Sequence, residues 1–235
     1  MTVSTDPERL KRAAAEAALT LVRSDMVLGL GTGSTIRHLL ELLGEAIRSG
    51  TLTRIVGVPT SEQTRSRARD AGIELVEFGA GVAPDLTIDG ADEVSPSLDL
   101  IKGMGGALLR EKMVAQASHR LVIIVDERKI VERLGTISPL PVEVVAWGMH
   151  AHIGFLETLG ALVSIREDAT GQVVLSDNGN AFFDCRFPEG IDDPAALEVR
   201  LARRAGIVDT GLFLGMADEV LIASDAGVRT MTRGG

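Results

Sequence analysis

The feature that most constrains the fold is an alternation of short apolar strands with amphipathic helices along the first half of the chain. Asp6-Pro7 predicts a helix start, and the stripe from Leu10 to Leu21 repeats at helical spacing. The pattern then predicts strands at 26–30, 54–58, 74–78, 86–89 and 121–125, a second helix whose apolar side runs from Ile36 to Ile47, and further helices at 62–71 and 107–117. Such alternation predicts a mostly parallel sheet covered on both faces, a Rossmann-like α/β architecture.

The pattern changes after Leu134. Strands are predicted at 142–146, 161–167, 181–186 and 208–214, and helices at 148–159 and 194–205. This order is the split β-α-β-β-α-β unit of a ferredoxin-like domain. A strand at 220–223 is expected to rejoin the first sheet. We therefore expect a Rossmann-like catalytic domain of residues 1–134 and 215–235, with a ferredoxin-like α+β domain of residues 135–214 inserted.

Composition restricts the partners. The 33 acidic and 24 basic side chains give a net charge of −9, which argues against nucleic acid and stands in tension with an anionic substrate. A single Cys cannot form an intrachain disulfide. The N-terminus lacks a targeting pattern, and the longest aliphatic run, 121–125, is too short to span a membrane. These features predict a cytoplasmic protein with neither a nucleic acid nor a membrane as partner.

Candidate catalytic and binding residues lie in the loops that follow the predicted strands. Ligands of open parallel sheets bind beyond the carboxyl ends of the strands, so these loops are candidate site segments. Gly31-Thr32-Gly33-Ser34-Thr35 leads from a strand into a helix, whose free amides suit a phosphate. This loop fits neither the G-x-G-x-x-G nor the P-loop pattern, and glycines that serve only tight packing are the alternative.

Asp89-Gly90-Ala91-Asp92-Glu93 places three carboxylates at the end of another strand, which suits acid and base roles. A solvated turn and a magnesium site are the alternatives. The next loop, Lys102-Gly103-Met104-Gly105, sets one cation among glycines, where it could stabilise an oxyanion.

Glu111 shares the apolar face of the following helix, while Arg110 and Lys112 are expected to point away from it. Such a carboxylate is either structurally paired or a partly desolvated general base. His150 and His152 have no third metal ligand in view, and Cys185 has no His nearby, so we predict neither a metal site nor a reactive thiol.

Taken together, these loops resemble ribose-5-phosphate isomerase of the A type. The resemblance extends over nearly the whole chain and is carried by Gly-Leu-Gly-Thr-Gly-Ser-Thr at 29–35, Pro-Thr-Ser at 59–61, Asp-Gly-Ala-Asp-Glu at 89–93, Ile-Lys-Gly at 101–103, Arg-Glu-Lys at 110–112, Pro-Leu-Pro-Val-Glu-Val at 139–144, Ser-Asp-Asn-Gly-Asn at 176–180 and Gly-Leu-Phe at 211–213. Each motif is short, but their ordered set is specific.

The resemblance implies interconversion of ribose 5-phosphate and ribulose 5-phosphate in the non-oxidative pentose phosphate pathway, without metal or organic cofactor. It makes Glu111 the base and gives Asp89, Asp92 and Lys102 roles in ring opening and charge stabilisation. The implied substrate contacts are Thr32, Gly33, Ser34, Thr35, Asp89, Gly90, Ala91, Asp92, Lys102, Gly103, Met104, Gly105, Lys129 and Lys11. A homodimer or a dimer of dimers is also implied.

One residue departs from the family pattern. The family's loop commonly reads Lys-Gly-Gly-Gly, whereas this chain has Met104. Because a positive φ would strain Met104, we expect it in an ordinary β or α conformation, contributing its backbone amide.

Two other functional classes compete with the isomerase. A non-catalytic sugar-phosphate sensor would not need Asp89, Asp92 and Glu111 together, and the sequence contains no helix-turn-helix. A coenzyme A transferase or an amino-sugar phosphate deaminase could share the fold. Labelling of Glu111 by an acyl-coenzyme A would favour the transferase.

Overall fold

The computed structural model describes residues 6–79 and 81–233. Its helices are α1 (Pro7–Leu19), α2 (Ser34–Arg48), α3 (Glu62–Asp70), α4 (Leu108–Ala117), α5 (Ile153–Glu157) and α6 (Pro194–Ala202). Its strands are β1 (Val27–Leu30), β2 (Val56–Pro59), β3 (Glu74–Leu75), β4 (Leu86–Asp89), β5 (Glu93–Val94), β6 (Leu100–Ile101), β7 (Leu121–Asp126), β8 (Leu140–Val144), β9 (Leu162–Ile165), β10 (Ala181–Arg186), β11 (Ile207–Thr210), β12 (Leu212–Phe213), β13 (Glu219–Ser224) and β14 (Gly227–Thr232). Short 3₁₀ helices cover Glu127–Lys129 and Met149–His152.

The first compact unit consists of the described residues up to Ala91, Arg110–Lys129 and those from Met216 onward. Its sheet has the order β14-β13-β7-β4-β1-β2-β3, and every pair is parallel except β13 with β14. The expected return of the chain to this sheet is confirmed, because β13 pairs with β7. The strand order reverses direction at β1, which lies between β4 and β2. Ligands of doubly wound sheets bind at such a switch point.

Helix α1 shows why these elements form where they do. Asp6 caps it by accepting a hydrogen bond from the Glu8 amide at 3.0 Å, and Pro7 occupies its first turn. Leu10, Ala14, Ala15 and Ala18 of its apolar side are completely buried in a core shared with α2 and one face of the sheet. β7 is buried at all six positions, as expected for a strand covered on both faces.

The second compact unit consists of Asp92–Leu109 and Ile130–Gly215. Its antiparallel sheet has the order β11-β8-β10-β9, the arrangement of a split β-α-β-β-α-β motif. A three-stranded sheet, β12-β6-β5, belongs to the same unit. Residues 92–109, which the sequence analysis places in the Rossmann-like domain, group with this unit because β5 and β6 pair with each other and β6 pairs with β12.

Several predicted elements differ in detail. The strand expected at 74–78 covers only Glu74–Leu75. The strand expected at 208–214 divides at Gly211 into β11 and β12, which join different sheets. A Cβ at Gly211 would lie 2.2 Å from the Lys102 carbonyl oxygen, so only glycine allows this close approach. The helix expected at 148–159 is a 3₁₀ turn followed by α5, between Gly148 and Gly160, which both have positive φ. Among the described residues, no helix is long and apolar enough to cross a membrane.

Candidate functional site

The loop after β1 lies at the switch point of the first unit. The Gly31 amide donates to the Ile88 carbonyl at 3.0 Å, which joins this loop to β4. A Cβ at Gly31 would lie 2.0 Å from Asp89 Oδ1, so the glycine lets the two strand ends approach. Gly33, with φ at 134°, caps α2 without a side chain, and its neighbour Ser34 is exposed. The amides of this helix end suit an anionic group.

A cluster of hydroxyl groups holds the same loop in place. Thr32 Oγ1 lies 2.9 Å from Thr60 Oγ1, 2.8 Å from Ser61 Oγ and 3.1 Å from Thr64 Oγ1. Thr64 also donates to the Gly31 carbonyl at 2.8 Å. Thr60, Ser61 and Thr64 are not among the predicted site residues, although they follow or flank the carboxyl end of β2, and a position after a strand is the signal that indicated the other loops. The Thr32 hydroxyl therefore organises the loop.

Asp89 ends β4 beside this loop and is 1% exposed. Its Oδ1 accepts hydrogen bonds from the Thr32 amide at 3.1 Å and the Gly90 amide at 2.7 Å. The first unit thus brings two predicted site residues, Thr32 and Asp89, into direct contact. Gly90 and Ala91 follow and are half-buried.

Glu111 lies in the first turn of α4 and is 4% exposed. Val114, one turn further on the same face, would approach a Cβ at Gly29 to within 2.9 Å, so α4 packs closely against β1. Arg110 forms a 2.8 Å ion pair with Glu62. Lys112 was expected to point away from the apolar face, but it is buried, as Glu111 is. The burial of Glu111 fits both a structurally paired carboxylate and a partly desolvated general base, the two alternatives that the sequence leaves open.

In the second unit, the loop after β6 contains Lys102, which is 3% exposed with its Nζ 5.3 Å from the centroid of the Phe213 ring. The Lys102 amide donates to the Gly211 carbonyl at 2.9 Å, which fixes the backbone of the loop. Desolvation of this ammonium group strengthens its attraction for an anion. The same loop then turns through Gly103, whose φ is 107°.

Met104 adopts the ordinary conformation expected from its type. The described non-glycine residues with positive φ are Asp25, Arg54 and Leu98, and Met104 is not among them. Its amide donates to Asp92 Oδ2 at 3.0 Å. The backbone amide that was expected to contribute to the site therefore contacts a predicted catalytic carboxylate. The second unit therefore brings together Asp92 and the 102–105 loop.

Glu93, the third carboxylate of its motif, has a structural environment. It is fully buried, and its two oxygens accept hydrogen bonds from the amides of Gly135 and Ile137, each at 2.6 Å, and from the amide of Ser138. Spacing alone did not separate Glu93 from its neighbours, because the amides that surround it lie more than 40 positions away in the chain.

The two more distant lysines have different surroundings. Lys11 forms a 2.7 Å ion pair with Glu8, which also contacts Arg37 and His38 in the first turns of α2 at 2.7 and 3.0 Å. Hydrogen bonds from Lys11 and His38 lower the pKa of Glu8 to about 2. Lys129 is half-buried in the 3₁₀ turn after β7.

The remaining polar candidates lie in the second unit. Burial raises the pKa of the Cys185 thiol to about 12, so it is not a nucleophile near neutral pH. Burial, with the nearby charge of Arg204, lowers the pKa of His152. The described residues contain no group of three or more His, Cys, Asp or Glu side chains that could hold a metal ion.

Residues 56–227 match the family model described as ribose 5-phosphate isomerase A (phosphoriboisomerase A). Ribose-5-phosphate isomerase A of Chloroflexus aurantiacus is 49% identical over 229 residues, which cover 97% of this chain and 95% of that protein. The protein of the same name from Gloeobacter violaceus is 50% identical, with 97% of each chain covered.

Solved structures show the same similarity. A D-ribose-5-phosphate isomerase in complex with phospho-erythronic acid has a TM-score of 0.94 at 39% identity, covering 97% of this chain and 100% of that one. Ribose 5-phosphate isomerase from Plasmodium falciparum has a TM-score of 0.93 at 37% identity, with the same coverage. The α/β fold with its mostly parallel sheet is thereby confirmed, and the chain belongs to the ribose 5-phosphate isomerase A family of enzymes.

Proposed function

We propose that this protein interconverts D-ribose 5-phosphate and D-ribulose 5-phosphate through an enediolate, with Glu111 as the base. Membership of the family supports the reaction. The observation that carries the mechanism is the buried carboxylate of Glu111 in the Arg-Glu-Lys motif at 110–112. A carboxylate removed from water is a stronger base than one in solution.

The chemistry requires one base that can reach two adjacent carbons. Glu111 takes the proton from C2 of the open-chain aldose, and the electrons form an enediolate. The carboxyl group then returns a proton to C1, while the proton of the C2 hydroxyl moves to the C1 oxygen, which gives the ketose. Lys102 stabilises the negative charge on the enediolate oxygens, and its desolvation strengthens this interaction.

Ring opening needs a second pair of acid and base groups. We assign it to Asp89 and Asp92, which stand three positions apart. One, as a carboxylate, takes the proton of the anomeric hydroxyl. The other, as a carboxylic acid, gives its proton to the ring oxygen, so one group gains the proton that the other loses. The different partners of the two carboxylates, the Thr32 amide for Asp89 and the Met104 amide for Asp92, support distinct roles.

The phosphate is assigned to the 32–35 loop, with contributions from Lys129 and Lys11. Gly90, Ala91 and residues 103–105 complete the proposed set of substrate contacts. The relative solved with phospho-erythronic acid supports a phosphorylated sugar as ligand. Binding energy from the phosphate positions the reacting carbons.

The decisive experiment measures ketose formation from ribose 5-phosphate by purified protein treated with EDTA. Full activity is expected, because the proposed mechanism uses neither a metal nor an organic cofactor. Loss of activity that returns with a divalent metal would contradict this part of the proposal, and binding without turnover would favour the sensor.

The variant Glu111→Gln tests the base. We expect turnover to fall at least about 100-fold while KM changes less than about threefold, because the amide keeps the shape but cannot accept the proton. Glu16→Gln, which removes an exposed carboxylate on α1, is the control and should retain wild-type kinetics. Near-normal turnover of Glu111→Gln would remove Glu111 from the role of base.

We also propose a cytoplasmic homo-oligomer, either a dimer or a dimer of dimers. Large apolar side chains of the second unit are exposed, including Trp147 at 90% and Leu162 at 63%, and such side chains are common at subunit interfaces. Light scattering of the purified protein distinguishes a monomer, a dimer and a tetramer.

A further inference from the structure

Arg166 follows β9 in the second unit, and its side chain is only 11% exposed. Its Nη1 donates to the Gly103 carbonyl at 2.9 Å, and its guanidinium carbon lies 4.8 Å from the centroid of the Phe182 ring. Asp184 on β10 holds the other side of the guanidinium, with Nε to Oδ2 at 3.1 Å and a second hydrogen bond from Nη2. The cation is therefore fixed in one orientation, as a bidentate Arg–carboxylate pair requires.

The Gly103 carbonyl and the Met104 amide belong to one peptide group. Arg166 donates to the oxygen of that group, and the nitrogen of the same group donates to Asp92 Oδ2 at 3.0 Å. Arg166 and Asp92 are thus connected through a single peptide plane. Arg166 Nη2 also lies 3.8 Å from Met104 Sδ, so it contacts the residue at which this chain departs from the family pattern.

This peptide needs an external restraint. Gly103 has a φ of 107°, and Gly105 and Gly106 follow Met104, so the local backbone allows other orientations of the 103–104 peptide at little cost. The Gly106 amide also donates to the Gly103 carbonyl, at 3.1 Å, but it belongs to the same glycine-rich turn. A cation hydrogen-bonded to the carbonyl additionally polarises the peptide and strengthens donation by its N–H.

We propose that Arg166, held by Asp184, is a positioning residue for isomerisation, because it orients the 103–104 peptide that in turn orients the Asp92 carboxylate. The inference rests on the proposed catalytic role of Asp92. Neither Arg166 nor Asp184 needs to touch the substrate for this role.

The first test compares Arg166→Gln, Arg166→Lys and Asp184→Asn with Arg133→Gln. Arg133 belongs to the same unit but forms an exposed pair with Asp192, so its loss should leave kinetics unchanged. For the first two variants we expect kcat to fall about 10- to 100-fold with KM within about threefold of wild type, and for Asp184→Asn a smaller fall in kcat.

Arg166→Lys keeps the charge but cannot contact Gly103 and both Asp184 oxygens at once, and it decides the question if Arg166→Gln does not fold. Wild-type kcat in folded Arg166→Lys overturns the proposal.

The second test is a double-mutant cycle with Asp92→Asn. If Arg166 acts through Asp92, adding Arg166→Lys to Asp92→Asn should lower kcat less than about twofold further. A purely structural role gives fold-losses that multiply, and this result overturns the inference while leaving the role of Asp92 intact. Wild-type turnover of Asp92→Asn would instead overturn the proposed role of Asp92, and the inference with it.

Discussion

Asp89 and Glu93 belong to the same five-residue motif and are both buried, yet they have different partners. Asp89 accepts two amides at the edge of the parallel sheet, beside the 31–35 loop. Glu93 accepts three amides of the 135–138 segment, which uses both of its oxygens. At the scale of single residues, the origin of the hydrogen-bond donors therefore separates a candidate catalytic carboxylate from a structural one.

Replacement of Glu93 by Gln tests this structural role. The Gln amide group would direct N–H donors at backbone N–H donors, so we expect a loss of about 2 kcal/mol in the free energy of unfolding, measured with urea. Glu132→Gln, an exposed neighbour, should change stability by less than about 0.5 kcal/mol. Equal stability of the two variants would show that the amides of 135–138 do not depend on the Glu93 carboxylate.

At the scale of elements, sequence periodicity predicted most of the helices and the central strands. α1, α2, α3, β1, β4, β7 and β13 lie within two residues of their predicted bounds. The missed strands had little or no periodic signal, since β5 and β6 contain two residues each and β14 is mostly exposed. The rule that ligands bind beyond strand ends selected the 31–35 and 89–92 segments as candidates, but it could not indicate Arg166, whose contact with Gly103 joins positions 63 apart.

Gly31 is the residue on which the junction between β1, β4 and α2 depends. In Gly31→Ala the new Cβ would lie 2.0 Å from Asp89 Oδ1 and 2.7 Å from Asp89 Cα, so the backbone itself must move. We expect a loss of about 1 to 3 kcal/mol in the free energy of unfolding and at least a tenfold fall in kcat/KM, because Asp89 is displaced.

Gly154→Ala is the matched control for Gly31→Ala, since a Cβ there meets no atom within 4 Å and the residue is helical. It should preserve both activity and the urea midpoint. If Gly31→Ala also behaved like the wild type, the close approach of β1 and β4 would not be needed for the site.

At the scale of the whole molecule, the net charge of −9 coexists with a site proposed for an anionic substrate. The proposed assignment would resolve this tension locally, because the amides at the start of α2, Lys102 and Lys129 are its proposed contacts with the anionic substrate, whereas most acidic side chains lie on the exterior. Many of those exterior carboxylates are paired with arginines, so the surface is a set of ion pairs with an acidic excess.

The acid stability of the protein should depend on the few carboxylates that are both buried and paired. Burial opposes ionisation of Asp126, but hydrogen bonds from the Arg128 side chain and amide outweigh it and lower the pKa of Asp126 below its ordinary value of 3.8. A carboxyl group with a lowered pKa stabilises the folded state above that ordinary value, and the contribution is lost as the pH falls through the folded-state pKa. Asp25 forms a similar pair with Arg54, but its side chain is 60% exposed and its charge is screened by water.

We therefore predict different pH dependences for Asp126→Asn and Asp25→Asn. Urea unfolding at pH 7 should show a clear loss of stability for Asp126→Asn, and at an acid pH below the ordinary carboxyl value of 3.8 the difference from wild type should be smaller, because the wild-type contribution is lost as the pH falls through the lowered pKa of Asp126. Asp25→Asn should follow the wild-type curve at both pH values, because an exposed pair contributes little. If Asp126→Asn and the wild type lost stability in parallel as the pH fell, the Asp126–Arg128 pair would have no part in acid stability, and the exterior pairs would have to account for it.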